Sequence, residues 1–189
     1  MVAWQRLDYF TQLVVTNESS VKTLADMKGK VIAFGEVGST STHLGPAQLL
    51  ASIGLMPNKD YKAMNIHRNV SIEALLRGDV DAVAVGSSHL FNIRDKFTDV
   101  GLRVAARGPD LPNDVLVAGA HVSAANVVKM RDAFVNNAEK LLNAALRGEE
   151  NKKYRGGKFI PTVKDSDYEY VRQAYITVGA ESLAKFIDE

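Results

Sequence analysis

No cysteine occurs among the 189 residues. That absence excludes a thiolate nucleophile, a cysteine-ligated zinc or iron–sulfur site and any disulfide. Cysteine-free chains are common in the bacterial periplasm, although the absence fits either compartment. Neither sign of charge predominates: 23 Lys and Arg stand against 22 Asp and Glu, for a net charge of +1. No global field therefore draws in nucleic acid or an anionic membrane, and a charged ligand has to be held by local groups. No run approaches the roughly 18 apolar residues needed to span a bilayer. The first eight residues, Met1-Val-Ala-Trp-Gln-Arg-Leu-Asp8, show no apolar core and no cleavage site, so no secretory signal is expected in this sequence. What is present is 46% hydrophobic and 24% charged residues, with the five prolines and fourteen glycines scattered. That composition belongs to a globular chain, and the length suits one large domain or two small ones.

Periodicity predicts strands at Tyr9–Val15, Lys30–Phe34, Tyr61–Ile66, Val80–Val85, Leu102–Ala106 and Val115–Ala118. Between them it predicts helices at Ser20–Lys28, Ser41–Ile53, Asn69–Arg77 and Ser87–Phe97, several stopped by a glycine. The second part reads differently, with a long helix from Ser123 to about Arg147, a polar Gly-rich stretch at Glu149–Lys158, and a helix over Asp165–Val178. Strands alternating with helices over residues 9–106 predict a parallel-dominated α/β sheet covered on both faces. Residues 107–189 hold too few strands for a sheet of their own, which points to a second unit whose sheet is mostly missing.

Chemistry concentrates at Phe34-Gly-Glu-Val-Gly38-Ser39-Thr40-Ser41-Thr42, between a strand and a helix. The first N–H groups of a helix lack intrahelical partners and carry partial positive charge, so they suit an anion. Gly35 and Gly38 permit a sharp turn, and four consecutive hydroxyls add donors without formal charge. Two readings stand: a cradle for a tetrahedral oxyanion, or a helix cap with spare hydroxyls. It is not a P-loop, because the closing Gly-Lys-Ser/Thr is absent. Pro109-Asp-Leu-Pro112-Asn113-Asp114 is a turn or hinge by composition. Asp114 would do something sharper if it met the hydroxyls' ligand, accepting a proton that phosphate, phosphite and phosphonates retain and sulfate lacks. Arg68, next to His67, could pair with an oxyanion or lie in solvent. Tyr9 is either an ordinary strand aromatic or a wall with a donor tip. Asp79 and Asp81 read as solvated turn residues. The histidines lack metal-ligand spacing, no cofactor motif is present, and no nucleophile–base or carboxylate pair marks an enzyme.

Tyr9-x-Thr11-x-x-Val14-Val15, Ser20-Val-Lys-Thr-Leu24-Ala-Asp-Met-Lys28-Gly29-Lys30, Ala33-Phe34-Gly35-x-x-Gly38-Ser39-Thr40-Ser41, Leu44-x-Pro46, Gly78-x-Val80-Asp81-Ala82 and Leu111-Pro112-Asn113-Asp114 together resemble the phosphonate/phosphite/phosphate-type substrate-binding proteins of ABC importers. The resemblance runs over about residues 8–178. It implies the type II periplasmic-binding-protein fold, two α/β lobes joined by two strands that close on a ligand, working with a membrane permease outside the cytoplasm and without a cofactor. On that basis residues 15–103 form one complete lobe. Residues 1–14 and 104–189 supply hinge strands and the C-terminal part of the other lobe, whose N-terminal portion is absent here. The resemblance further implies that Ser39, Thr40 and Ser41 hold the oxyanion, that Asp114 accepts its proton and that Tyr9 lines the cleft. His67 or Arg68 stands where the family often has His. Ser88 stands near an acid that in some members meets an aminoalkyl group, which argues for a ligand without an amine. The expected function is capture of phosphate, phosphite or a small phosphonate, with self-association through the incomplete lobe. A sensing module or, less in keeping with the residues, an enzyme on the same fold are the alternatives.

Overall fold

Strand β2 (Phe10–Thr16) is buried along its whole interior, and its neighbours explain why. In the computed structural model, which describes residues 2–184 apart from the side chains of Arg68 and Asn69, a five-stranded sheet runs in the order β4-β3-β5-β2-β6. Its other strands are β3 (Val31–Phe34), β4 (Lys62–Asn65), β5 (Ala82–Gly86) and β6 (Leu102–Asp110). Successive side chains on a strand point to opposite faces. Accordingly Leu13, Val15, Ile32, Phe34, Ala82 and Ala84 share one core with Ala47 and Leu50 of α1 (Gly45–Ala51). Val14, Ala33, Val83 and Val85 share the other with Ile72 and Leu75 of α2 (Arg68–Arg77) and Leu90 of α3 (Ser87–Lys96). Helices thus cover both faces, as the pattern predicts.

The sheet is less parallel than expected. β3 pairs in parallel with β4 and β5, but β2 lies antiparallel to both β5 and β6. The chain after β3 crosses through α1 to β4, while the chain after β5 crosses through α3 to β6 on the other side. The carboxyl ends of β3 and β5 therefore form the point where the winding reverses, the position at which open α/β sheets bind ligands. Because β2 runs the other way, its beginning sits beside the end of β5, with Thr11 opposite Gly86.

The predicted helix at Ser20–Lys28 is reduced to a single 3₁₀ turn at Ala25–Met27. Asp26 takes the N–H groups of Lys22 (2.9 Å) and Thr23 (2.8 Å) on its carboxylate, tying down the chain just ahead of that turn. Asp81 is also more than a solvated turn residue, since it accepts the first N–H of β3 from Val31 at 2.8 Å.

The chain divides into two compact units, this one comprising Tyr9–Leu111 with the segment from Glu169 on. Its last helix, α6 (Glu169–Thr177), packs on α1, with Thr177 Oγ1 donating to Gln48 Oε1 at 2.5 Å. The second unit holds the segment up to Asp8 and Pro112–Tyr168. Its short sheet, in the order β7-β1-β8, joins β1 (Val2–Trp4), β7 (Asp114–Leu116) and β8 (Phe159–Ile160). The long predicted helix is two, α4 (Ala124–Asn136) and α5 (Ala138–Ala145), broken at Asn137, whose side-chain amide bonds back to the Ala133 carbonyl at 2.8 Å.

Candidate functional site

The hydroxyl-rich segment leaves the carboxyl end of β3. Gly38 turns the chain at φ +85°, and Ser39 follows in extended conformation. Residues Thr40–Leu44 form one wide turn of π-helix that runs into α1, so that both His43 and Leu44 direct their N–H groups to the Ser39 carbonyl at 2.9 Å. Wide turns of this kind recur at functional sites. The N–H groups of Thr40, Ser41 and Thr42 occupy the opening positions that find no partner inside a helix. Ser39 holds the N-cap position, yet its side chain makes no capping bond. It accepts instead from Thr42 Oγ1 at 2.8 Å, which leaves its own O–H to be donated elsewhere. Of the two readings of the cluster, plain helix capping is not the one Ser39 adopts.

The loop is held from behind. Asn65 Nδ2 donates to the Gly35 carbonyl at 2.8 Å, and Gly35 N–H to the Thr42 carbonyl at 2.9 Å. Gly38 N–H meets His43 Nδ1 at 3.3 Å. Burial holds the His43 pKa below its ordinary value, consistent with a neutral ring accepting that bond. Ser41 is buried, and its Oγ lies against Gly86, where an added Cβ would come within 2.9 Å. The cluster thus sits beside the start of α3. A narrow recess of about 20 Å³ behind it, walled mainly by apolar residues including Phe34, Val83 and Ile93, serves as backing and not as a polar seat.

Tyr9, His67 and Ser88 follow or precede strand ends at the end of the sheet from which the hydroxyl segment departs. Ser88 is exposed in the first turn of α3. Tyr9 is buried at the start of β2, its carbonyl accepting Leu111 N–H at 2.7 Å, and the next residue, Phe10, donates its N–H to Ser87 Oγ at 3.4 Å. His67, beyond the end of β4, places Nε2 3.9 Å from Glu36 Oε1 on an exposed stretch of the loop. The Arg68 side chain lies outside the described residues. Among the described residues no group of His, Asp and Glu is arranged to hold a metal.

Asp114 belongs to the other unit. It opens β7 opposite Trp4, and its Oδ2 accepts a hydrogen bond from the Tyr154 hydroxyl, with Arg6 Nη1 3.8 Å away. Asn113 is fixed on both sides: its Oδ1 accepts Arg6 N–H at 2.8 Å and its carbonyl accepts the Tyr168 hydroxyl at 2.8 Å. Burial, together with the nearby Asp167 and Asp114, raises the Tyr168 pKa. Sequence reasoning singled out Asp114 but missed Tyr154 and Arg6. Neither carries a local signature, and the Tyr154 contact spans 40 residues of chain.

A protein of Haemophilus influenzae named for thiamine biosynthesis is 38% identical over 81 residues, 43% of this chain but 24% of that protein. The chain thus matches only about a quarter of the length of that curated relative. XAC2383 of Xanthomonas citri, in a structure bound to ATP, superposes with a TM-score of 0.75 at 16% identity, over 98% of this chain and 72% of that one. PhnD1 of Prochlorococcus marinus, in complex with methylphosphonate, gives 0.63 at 17% identity, over 95% and 71% of the two chains. At such identities these structures establish the fold, a type II periplasmic-binding-protein fold of which this chain holds part. The family model that matches covers residues 2–168, and its description is that of the phosphonate ABC transporter's periplasmic substrate-binding protein, a binding protein and not an enzyme. With nearly the whole chain so matched, the protein belongs to the family of periplasmic substrate-binding proteins of phosphonate ABC transporters.

Proposed function

We propose that the protein is the substrate-binding component of an ABC importer that captures a phosphorus oxyanion, whether phosphate, phosphite or a small phosphonate, and delivers it to a membrane permease from outside the cytoplasm. Ser39, Thr40 and Ser41 hold the oxyanion with their hydroxyls and the opening N–H groups of the helix. Asp114 accepts the proton the ligand still carries. Tyr9, Ser88 and the His67–Arg68 pair are assigned supporting contacts, and a serine at position 88 gives an aminoalkyl group no carboxylate to pair with. The observation that carries the reading is the uncapped Ser39 hydroxyl at the reversal point of the sheet, beside helix N–H groups that need an acceptor.

Mechanistically the hydroxyls and N–H groups neutralise the ligand's charge without a formal cation, so selectivity rests on proton count. A carboxylate facing a fully ionised sulfur oxyanion gains no hydrogen bond and suffers like-charge repulsion. Binding then shifts an open–closed equilibrium toward the form the permease engages. Calorimetry with methylphosphonate, phosphate, phosphite, ATP, sulfate and methylsulfonate tests this. The small phosphorus ligands should bind at least about tenfold tighter than their sulfur counterparts, the equivalent of one lost hydrogen bond. Equal affinities would sink the proton-count argument, and a preference for ATP would move the ligand to a nucleotide. Ser39→Ala should weaken the preferred ligand by a further 0.5–1.5 kcal/mol, on the order of one hydrogen bond.

A further inference from the structure

Asp114 offers its two oxygens unequally. Oδ2 accepts the Tyr154 hydroxyl and is the oxygen nearest Arg6, which leaves Oδ1 without a hydrogen bond from the described residues. The side chain is about half exposed. Tyr154, in contrast, is 6% exposed and cannot wander. Its ring stacks on Trp4 with centroids 3.7 Å apart at 14°, Trp4 in turn meets Phe159 at 5.7 Å, and Phe159 meets Phe134 edge-on at 5.2 Å. The backbone fixes it too. Gly157 N–H bonds to the Tyr154 carbonyl at 2.9 Å, and Gly157 lies so close to β1's exit that a Cβ there would come within 2.0 Å of the Gln5 carbonyl. The polar Gly-rich stretch Glu149–Lys158 is thus what lets the 3₁₀ turn Glu149–Tyr154 fold back beside β1.

We propose that Tyr154 is a positioning residue for ligand selection: its immobilised hydroxyl occupies Oδ2 of Asp114 and so presents Oδ1, lone pairs outward, to the acidic proton of a phosphorus oxyanion. The inference rests on the reading that Asp114 meets the ligand, and adds to it the device that aims the carboxylate. A free aspartate on a surface strand rotates about two side-chain bonds and divides its time among several orientations. One held at Oδ2 by a buried phenol has that freedom removed before the ligand arrives, so less ordering is left for binding to supply. Arg6, 3.8 Å from the same oxygen, draws the carboxylate the same way.

The test uses calorimetry on the 189-residue chain with methylphosphonate and methylsulfonate, for wild type, Tyr154→Phe and Asp114→Asn. Tyr154→Phe removes one oxygen and keeps the stacked ring, and the emission of Trp4, the sole tryptophan, reports whether the stack survives. The expected result is that Tyr154→Phe lowers the preference for methylphosphonate by about tenfold while methylsulfonate affinity stays as in wild type, the size expected for one misaimed hydrogen bond. Equal weakening of both ligands, or an unchanged ratio, would overturn the positioning role. An Asp114→Asn variant with wild-type preference would instead overturn the assignment of Asp114, and a wild-type chain that binds neither compound would overturn the oxyanion reading along with this inference. If Tyr154→Phe does not fold, carbon-13 at the tyrosine Cζ gives a second measurement in wild type. The signal that Asp114→Asn displaces should shift on adding methylphosphonate and not on adding methylsulfonate, and a shift with both or with neither would count against the proposal.

Discussion

Gly35 leaves no room for a side chain: a Cβ there would stand 2.2 Å from Thr42 Oγ1 and 2.8 Å from its Cβ. Sequence reading credits this glycine with conformational freedom, but what the position demands is closeness, so that Thr42 can reach Ser39. Gly35→Ala should therefore cost about 1–3 kcal/mol as an overpacked contact and loosen the hydroxyl cluster with it. Urea denaturation and oxyanion calorimetry on the same variant check both effects; wild-type values in the two would show that the loop yields freely. His43 makes a second prediction. Burial lowers its pKa in the folded chain, so the unfolded chain binds the proton more readily. The stabilisation is present above the ordinary histidine value near 6.5 and is lost as pH falls from there through the lowered folded value. Protonation would also put a hydrogen on Nδ1, the atom that now accepts Gly38 N–H. Stability measured from pH 7.5 down to 5 should fall in wild type, and His43→Asn, which retains an acceptor and cannot titrate, should flatten that slope.

Strand β3 is tied to β5 by more than its ladder. Asp81, just before β5, accepts Val31 N–H at 2.8 Å and lies 3.6 Å from Lys30 Nζ, fixing the register from which the hydroxyl loop departs. Asp81→Ala should destabilise the chain by about 1.5–3 kcal/mol, the worth of a hydrogen bond to a charged acceptor, measured as a lower urea midpoint with an unchanged slope. The strands β2 to β6 and the helices α1 to α3 were legible in the sequence because their apolar periodicity is set by burial on a sheet covered on both faces, whereas β1 and β8, of three and two residues, are too short to show any. The failures have local causes. Val21, Leu24 and Met27 have helical spacing, but only a single 3₁₀ turn forms there, with the Asp26 carboxylate tied to the N–H groups of Lys22 and Thr23 just ahead of it. The apolar stripe after Ser123 is continuous, and Asn137 interrupts it by bonding to its own preceding turn. The hydroxyl run announced itself by composition, whereas the wide turn that uncaps Ser39 and the phenol beside Asp114 depend on contacts that no spacing rule encodes.

One unit buries a sheet on both faces; the other does not. α4 and α5 contain no buried residue, and Val128, Met130, Val135 and Leu141 are exposed by 44, 53, 38 and 36%. Leu116, at the end of β7, and Val117, the next residue, are exposed as well. The sheet beneath them has strands of three, three and two residues, with β7 and β8 as open edges. An apolar helix face and an unpaired strand edge are both driven to find cover. In a solution of this chain alone the cover available is a second copy, and we expect the reciprocal contact of a two-fold dimer. Val128 and Val135 stand seven residues apart and so on one face of α4. Sedimentation should therefore show mass rising with concentration in wild type, and Val128→Glu with Val135→Lys should return the chain to a monomer. Because neither residue is assigned to the oxyanion site, the same double variant should keep the wild-type preference for methylphosphonate. A wild-type chain that stays monomeric at every concentration would mean that the exposed face of this unit is stable in water as it stands.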